Sequence, residues 1–447
     1  MMVFEKGDFM TRLGLLAAAF LLSGSVTALA ADITGTWEVG VREYGGRNYY
    51  IAMQDGRLII EEQGGRYSAR FNQLTFAGTM QKDGLHLACN DRGKACGELV
   101  VQAKGDQISG KGVVIANPPL DIPVTLSGRR EVAKPGAIRT HDYNPQGKDF
   151  SSFYTAAAKP VLRIFPGDTV RTRTLDSRGQ DKDLKPLAPR GNPLTGPFYV
   201  EGAMPGDTLV VHLDRVRTNR DTAYQTNMIS NTALETGYVR ELAKHQPGFT
   251  EWKIDVAAGI ATVINPTDKL RPYTVKLSPM LGCVGVAPPR GEVMGAGHLG
   301  VFGGNMDSPQ VKEGATLYIP VFEPGALLFV GDGHAQQGDG ELPGQGLETS
   351  LDVQFTVDVI RDQSLGQTRL ENADYVMVMG VGATLDDGMK SATTGMSRWL
   401  ASAHGLTPQE IAPVLGTAMQ FEIAEVVDSE YNVVAKVSKD ALKRLGK

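Results

Sequence analysis

Short β-forming runs closed by glycine and proline turns recur along nearly the whole chain, and that punctuation leaves little room for long helices. Leu58-Ile59-Ile60, Tyr67 to Phe71, Leu85-His86-Leu87 and Leu99-Val100-Val101 are early examples. Further along, Pro160 to Ile164 reads as a strand before the turn Pro166-Gly167-Asp168. Phe198-Tyr199-Val200 and Pro205-Gly206-Asp207 repeat that unit, with Thr208 to Val211 as the next run. The 53 glycines and 24 prolines in 447 residues exceed the usual share, so the expected fold class is mainly β. A helical minority is expected near the C-terminus. Asp386 to His404 fits one helix, and Thr407-Pro408-Gln409-Glu410 offers a capping box with proline in the first helical position.

The punctuation also divides the chain. Residues 1–30 read as a signal peptide: Lys6 and Arg12 precede the apolar run Leu13 to Leu22, and Ala28-Leu29-Ala30-Ala31 supplies small residues at a cleavage point. Met10 is an alternative start, and an uncleaved anchor is the alternative fate. No later segment reaches the roughly 18 consecutive apolar residues that spanning a bilayer requires. The expectation is therefore a periplasmic or secreted protein with no membrane span after signal cleavage. Residues 32–131 read as a small β domain, a barrel or a sandwich, with structural support as its first reading. Residues 132–150 are polar, with Lys134-Pro135-Gly136 and Asn144-Pro145-Gln146-Gly147, and read as a linker. Residues 151–447 form the larger domain, expected as a β-sandwich. In an oxidising compartment, Cys89 and Cys96 are candidates for a disulfide across the turn residues Asn90, Asp91 and Gly93.

Charge narrows the partners. With 45 basic and 50 acidic side chains, a net charge of -5 and no run of Lys or Arg, the chain has no field to collect phosphates. Nucleic acid is excluded, and a small neutral substrate fits better. Gly295-Ala296-Gly297-His298-Leu299-Gly300 spells a dinucleotide fingerprint, but Val301-Phe302-Gly303-Gly304 cannot open the helix it needs. Neither a Gly-x-Ser-x-Gly elbow nor a phosphate-binding Lys-Ser or Lys-Thr loop is present, which removes the serine-hydrolase and nucleotide-hydrolase readings.

One stretch carries concentrated polar chemistry. The apolar strand Ala326-Leu327-Leu328-Phe329-Val330 runs into Gly331-Asp332-Gly333-His334-Ala335-Gln336-Gln337-Gly338-Asp339-Gly340-Glu341. Leu351, Val353, Phe355, Val357 and Val359 then alternate with polar residues, the period of a half-exposed strand. The polar cluster is accordingly expected on a connection between two strands. Asp332 and His334, Asp339 and Glu341, and Asn305 and Asp307 upstream are each two apart, and an extended backbone points each pair to one side. Carboxylates with an imidazole suit a divalent cation, zinc or manganese by the imidazole and calcium if more oxygens join. Solvated turn residues are an equal reading of the spacing alone. A calcium-binding EF-hand is excluded, because Gln337 or Ser350 would stand where that loop requires glycine or a bidentate acid.

A resemblance then emerges from motifs in order. Pro166-Gly167-Asp168-Thr169-Val170, Thr195-Gly196-Pro197-Phe198-Tyr199-Val200-Glu201-Gly202-Ala203, Gly285-Val286-Ala287-Pro288, Gly303-Gly304-Asn305-Met306-Asp307, Leu317-Tyr318-Ile319-Pro320-Val321, Gly331-Asp332-Gly333-His334 and Gln337-Gly338-Asp339-Gly340-Glu341 resemble the acetamidase/formamidase family from about residue 136 onward. The first 130 residues lie outside it. The stretch before Gly303 lacks the family's proline-rich approach, and His141 to Tyr154 aligns poorly. The resemblance implies hydrolysis of short linear amides to a carboxylate and ammonia, a bound divalent metal, zinc first with calcium or manganese as alternatives, and a possible homo-oligomer. On it, Asp307, Asp332 and His334 are expected to hold the metal, with Glu341 as the base and Asn305 beside it in the catalytic set. Gln337, Asp339 and His298 are expected around the substrate or behind the ligands. Two alternatives stay open: a cysteine-dependent amidase using Cys283, which sits in an apolar setting that disfavours a thiolate, and a non-catalytic periplasmic binding protein on the same fold.

Overall fold

The structure, a computed structural model, describes residues 33–43, 54–91, 94–115, 121–364 and 366–446. The expected signal peptide lies outside them. Among the described residues, no helix is long and apolar enough to cross a membrane. The chain divides into two compact units, Met1–Ala133 and Lys134–Lys447.

The first unit is a closed eight-stranded barrel in which each strand pairs with the next and Gly35–Glu43 closes on Asp121–Arg130. Alternation builds it. Along Arg66–Phe71, Tyr67, Ala69 and Phe71 point inward while Arg66 and Ser68 face out. Trp37, Leu58, Leu85, Val101 and Leu126 fill the interior, so the barrel is a packed core. The indole of Trp37 is satisfied there by donating to the Ile33 carbonyl at 2.9 Å. A disulfide joins Cys89 to Cys96 across a hairpin, with their Cα atoms 5.1 Å apart.

The second unit is a sandwich of a nine-stranded and a seven-stranded sheet, both mostly antiparallel. Its core lies between them: Leu209, Val211, Phe355 and Val357 from one sheet meet Phe198, Val284, Leu328 and Val330 from the other. Phe198 packs edge-on against Phe355 with ring centroids 5.3 Å apart. Each such fully buried side chain contributes roughly 1.5–3 kcal/mol. Helices Leu385–His404 and Pro408–Ala418 cover the strands Tyr375–Gly382 and Tyr431–Ser438 through Val376, Met396, Leu400, Ile411 and Val437. The Thr407–Glu410 capping box is formed.

Both Pro-Gly-Asp turns put glycine in the left-handed region, Gly167 at φ 93 and Gly206 at φ 94. Their aspartates turn inward to take backbone N–H groups. Asp168 accepts from Phe165 at 3.1 Å and from Arg139 at 2.9 Å, and its other contact is His141 Nε2 at 2.9 Å. That carboxylate recruits part of the expected linker into the sandwich: Thr140–Asp142 pairs in parallel with Thr169–Arg173. Polar composition concealed the strand because its anchor lies in a turn further along the chain.

Candidate active site

The site grows from the strand Leu328–His334, which lies between Leu194–Val200 and Met280–Gly285 in the seven-stranded sheet. The apolar run was expected to end near Val330 and leave the polar cluster on a loop. Instead the strand continues through His334, and every residue in it is buried. Glycines make that possible. A Cβ at Gly331 would lie 2.9 Å from the Pro193 carbonyl, and one at Gly333 would lie 2.6 Å from that of Thr349, so only glycine lets the flanking backbone close in. Asp332 and His334 meet on the opposite face, His334 Nε2 lying 3.5 Å from Asp332 Oδ2.

Five buried polar side chains converge there. Ligand-type atoms of Asp307, Asp332 and His334 all lie within 4.8 Å of one another, as do those of His334, Glu341 and Glu348. Three of these residues hold left-handed backbones: Asp307 at φ 39, Asp332 at φ 56 and Glu341 at φ 49. Such conformations cost about 1–3 kcal/mol each and persist where the surroundings enforce them, often at functional sites.

Hydrogen bonds set the orientation. Gln337 spends its amide nitrogen on the carbonyls of Asp307, at 2.6 Å, and Ala424, at 3.3 Å, so its Oε1 accepts from His334 Nδ1 at 2.8 Å. The imidazole therefore presents Nε2 to the carboxylates, 3.0 Å from Glu348, 3.5 Å from Asp332 and 4.0 Å from Glu341. None of those approaches is aligned as a hydrogen bond. Asp307 Oδ1, Asp332 Oδ1, His334 Nε2 and Glu348 Oε2 are buried without a hydrogen-bond partner among the described residues. Orphans of this kind are expensive unless something else binds them.

The electrostatics agree. Burial first, with the neighbouring carboxylates adding to it and His334 opposing it, pushes Asp307, Glu341 and Glu348 above the usual carboxylate range. Burial pulls His334 down, but Glu348 and Asp332 outweigh it and the imidazole ends well above its ordinary value. A cation among these oxygens would relieve both effects. Room for one is built in: a Cβ at Gly282 would fall 2.4 Å from Asp307 Oδ1 and 2.4 Å from Asp332 Oδ2. Two carboxylates, one bare imidazole nitrogen and a missing side chain fit a divalent metal.

Beside the cluster lies a cavity of about 230 Å³, walled by Asp307, Asp332, Glu341 and Glu348, with Asn192, Asn305, Gln345 and Asp428 among the other residues around it. Asn305 is a clamp. Its Oδ1 accepts from Asn192 at 3.0 Å and from the Cys283 thiol at 2.9 Å, while its amide donates to Asp307 and, at 2.7 Å, to Asp428.

Some expected members are placed elsewhere. Gly340 at φ 80 and Glu341 at φ 49 break the extended path, so Glu341 turns in and Asp339 is left exposed, where Glu422 and Lys436 act on its charge. His298 is half-buried with Nδ1 3.2 Å from Glu430, and its carbonyl accepts the Asn305 N–H at 3.0 Å. Cys283 is buried outside the cavity wall, and burial followed by Asp332 and Asp307 raises its thiol well above the ordinary range. Such surroundings disfavour the thiolate that a cysteine nucleophile needs. Asn192, Glu348 and Asp428 escaped the sequence reading, since contacts between distant segments bring them to the site: Asn192 reaches Asp332, and Asp428 reaches Asn305.

Known proteins resemble this chain in sequence and fold. Residues 148–293 and 301–437 match the Acetamidase/Formamidase family. A formamidase from Methylophilus methylotrophus is 24% identical over 259 residues, covering 45% of this chain and 62% of that protein. The chain thus spans less than two thirds of the curated relatives it matches. The crystal structure of an acetamidase from Yersinia enterocolitica superposes with a TM-score of 0.60 at 26% identity, covering 70% of this chain and 96% of that one. An acetamidase from Bacillus halodurans gives a TM-score of 0.58 at 27% identity, covering 69% and 100%. The barrel precedes the matched residues. On a match over more than half its length, carried by the same strands that converge on the site, the chain belongs to the acetamidase/formamidase family.

Proposed function

We propose that this protein is an exported amidase that hydrolyses the C–N bond of a short linear amide, of the formamide or acetamide class, to a carboxylate and ammonia. The observation that carries the reading is the convergence of Asp307 Oδ1, Asp332 Oδ1 and His334 Nε2, all buried and without a hydrogen-bond partner among the described residues, beside a cavity of about 230 Å³. Family membership supplies the substrate class. Export rests on the signal-like leader, residues 1–30.

An amide is resonance-stabilised and ammonia leaves poorly, so hydrolysis needs a polarised carbonyl, an activated water and a proton for nitrogen. Asp307, Asp332 and His334 would hold the metal, zinc by the imidazole and manganese or calcium if further oxygens join; when bound it acidifies water and polarises oxygen. Glu341, in the cavity wall, takes the water proton and returns it to the leaving nitrogen. Asn192 keeps Asp332 in place through a 3.2 Å hydrogen bond, and Asn305 does the same for Asp307. Gln337 fixes the ring of His334. Glu341→Gln keeps the shape and removes the base. The variant should retain its metal while ammonia release falls by about 10²-fold or more; undiminished release would remove Glu341 from that role.

A further inference from the structure

An amide offers its surroundings one strong acceptor, the carbonyl oxygen, and donors on nitrogen. The cavity is rich in acceptors for the nitrogen, with Asp307, Asp332, Glu341, Glu348 and Asp428 around it. Its side-chain donors are nearly all spent. Asn192 Nδ2 donates to Asn305 at 3.0 Å and to Asp332 at 3.2 Å. Asn305 Nδ2 donates to Asp307 and Asp428. The Ser177 hydroxyl is engaged with Tyr224 Oη at 2.7 Å.

Gln345 is the exception. Its Oε1 accepts the Thr226 N–H at 3.0 Å, which fixes the amide so that Nε2 is the free end. Among the described residues, Nε2 has no acceptor. The loop carrying it is pinned to the strand Thr222–Thr226: Gln225 Nε2 donates to the Gln345 carbonyl at 3.1 Å, and Thr226 Oγ1 donates to the Pro343 carbonyl. A donor preset in this way costs no reorganisation when charge develops on an oxygen beside it.

We propose that Gln345 is a catalytic residue, its Nε2 donating to the carbonyl oxygen of the substrate amide. This rests on the amidase reading. Water oxygen adds to the carbonyl carbon and the C=O electron pair moves onto oxygen, where the Gln345 hydrogen bond strengthens. The pair then returns, the C–N bond breaks and nitrogen leaves as ammonia with the water's proton. Gln345 neither gains nor loses a proton in the cycle.

The test is steady-state hydrolysis of acetamide and of thioacetamide, whose sulfur accepts hydrogen bonds weakly, by wild type, Gln345→Met and Gln345→Glu. The Glu variant keeps an acceptor for the Thr226 N–H and so preserves the loop. The Glu variant should keep the thermal midpoint and metal content of wild type, and in both variants kcat on acetamide should fall by about 10²-fold. The preference for acetamide over thioacetamide should shrink with it. Activity on acetamide within threefold of wild type, or an equal loss on both compounds, would overturn the assignment. A wild type inactive on every simple amide would instead overturn the amidase reading, and this inference with it.

Discussion

Adding one methyl group at Gly282 probes whether the two carboxylates must meet where the structure places them. Gly282 lies on the strand Met280–Gly285, and its added Cβ would sit 2.4 Å from Asp307 Oδ1 and 2.4 Å from Asp332 Oδ2, where real Cβ contacts begin at 3.0 Å. Each oxygen must therefore retreat by about 0.6 Å, and a metal–ligand bond tolerates only about 0.2 Å. Neither can swing aside freely. Asp332 Oδ2 is tied to Asn192 and Asp307 Oδ2 to Asn305. Overpacking a rigid interior costs about 1–3 kcal/mol, which in a domain of this size lowers the thermal midpoint by about 1–5 °C. Gly282→Ala should thus stay folded at room temperature yet lose most of its metal, measured by elemental analysis after gel filtration, and its ammonia release with it. Full metal content and full turnover in the variant would refute the geometry.

Two further substitutions separate support from chemistry. Arg220 and Asp176 form an almost fully buried ion pair at 2.7 Å, and Arg220 also donates to the Glu348 carbonyl at 3.3 Å. Arg220→Leu strands the Asp176 charge and should cost about 3–5 kcal/mol in denaturant unfolding; a loss below 1 kcal/mol would mean the pair is not buried as described. Cys283→Ala removes one of two donors to Asn305 Oδ1 and leaves Asn192 in place. Turnover should remain within tenfold of wild type, and a folded but inactive variant would revive thiol chemistry.

The β character was legible because turn residues and period-two alternation are local signals, as Leu351 to Val359 shows. The pairing of Asp332 with His334 was legible for the same reason, since both stand on one strand. The same rule misplaced Asp339, because it assumes an extended backbone and Glu341 is left-handed. Glu348, Asn192 and Asp428 were hidden because what joins them to the site is tertiary. Asn192 reaches Asp332 across 140 residues and Asn305 reaches Asp428 across 123. Gly282 was equally silent: its role is the space it leaves, which no spacing announces. The strand Thr140–Asp142 was missed because only the distant Asp168 and the ladder to Thr169–Arg173 make it a strand.

The most direct measurement is ammonia release from formamide, acetamide and longer amides by the purified protein, before chelation, after it, and after returning zinc, manganese or calcium. Release that disappears with the chelator and returns with one ion is the expected result, and it would name the metal held by Asp307, Asp332 and His334. Release that persists in metal-free protein, shown metal-free by elemental analysis, would contradict metal-activated hydrolysis at this site.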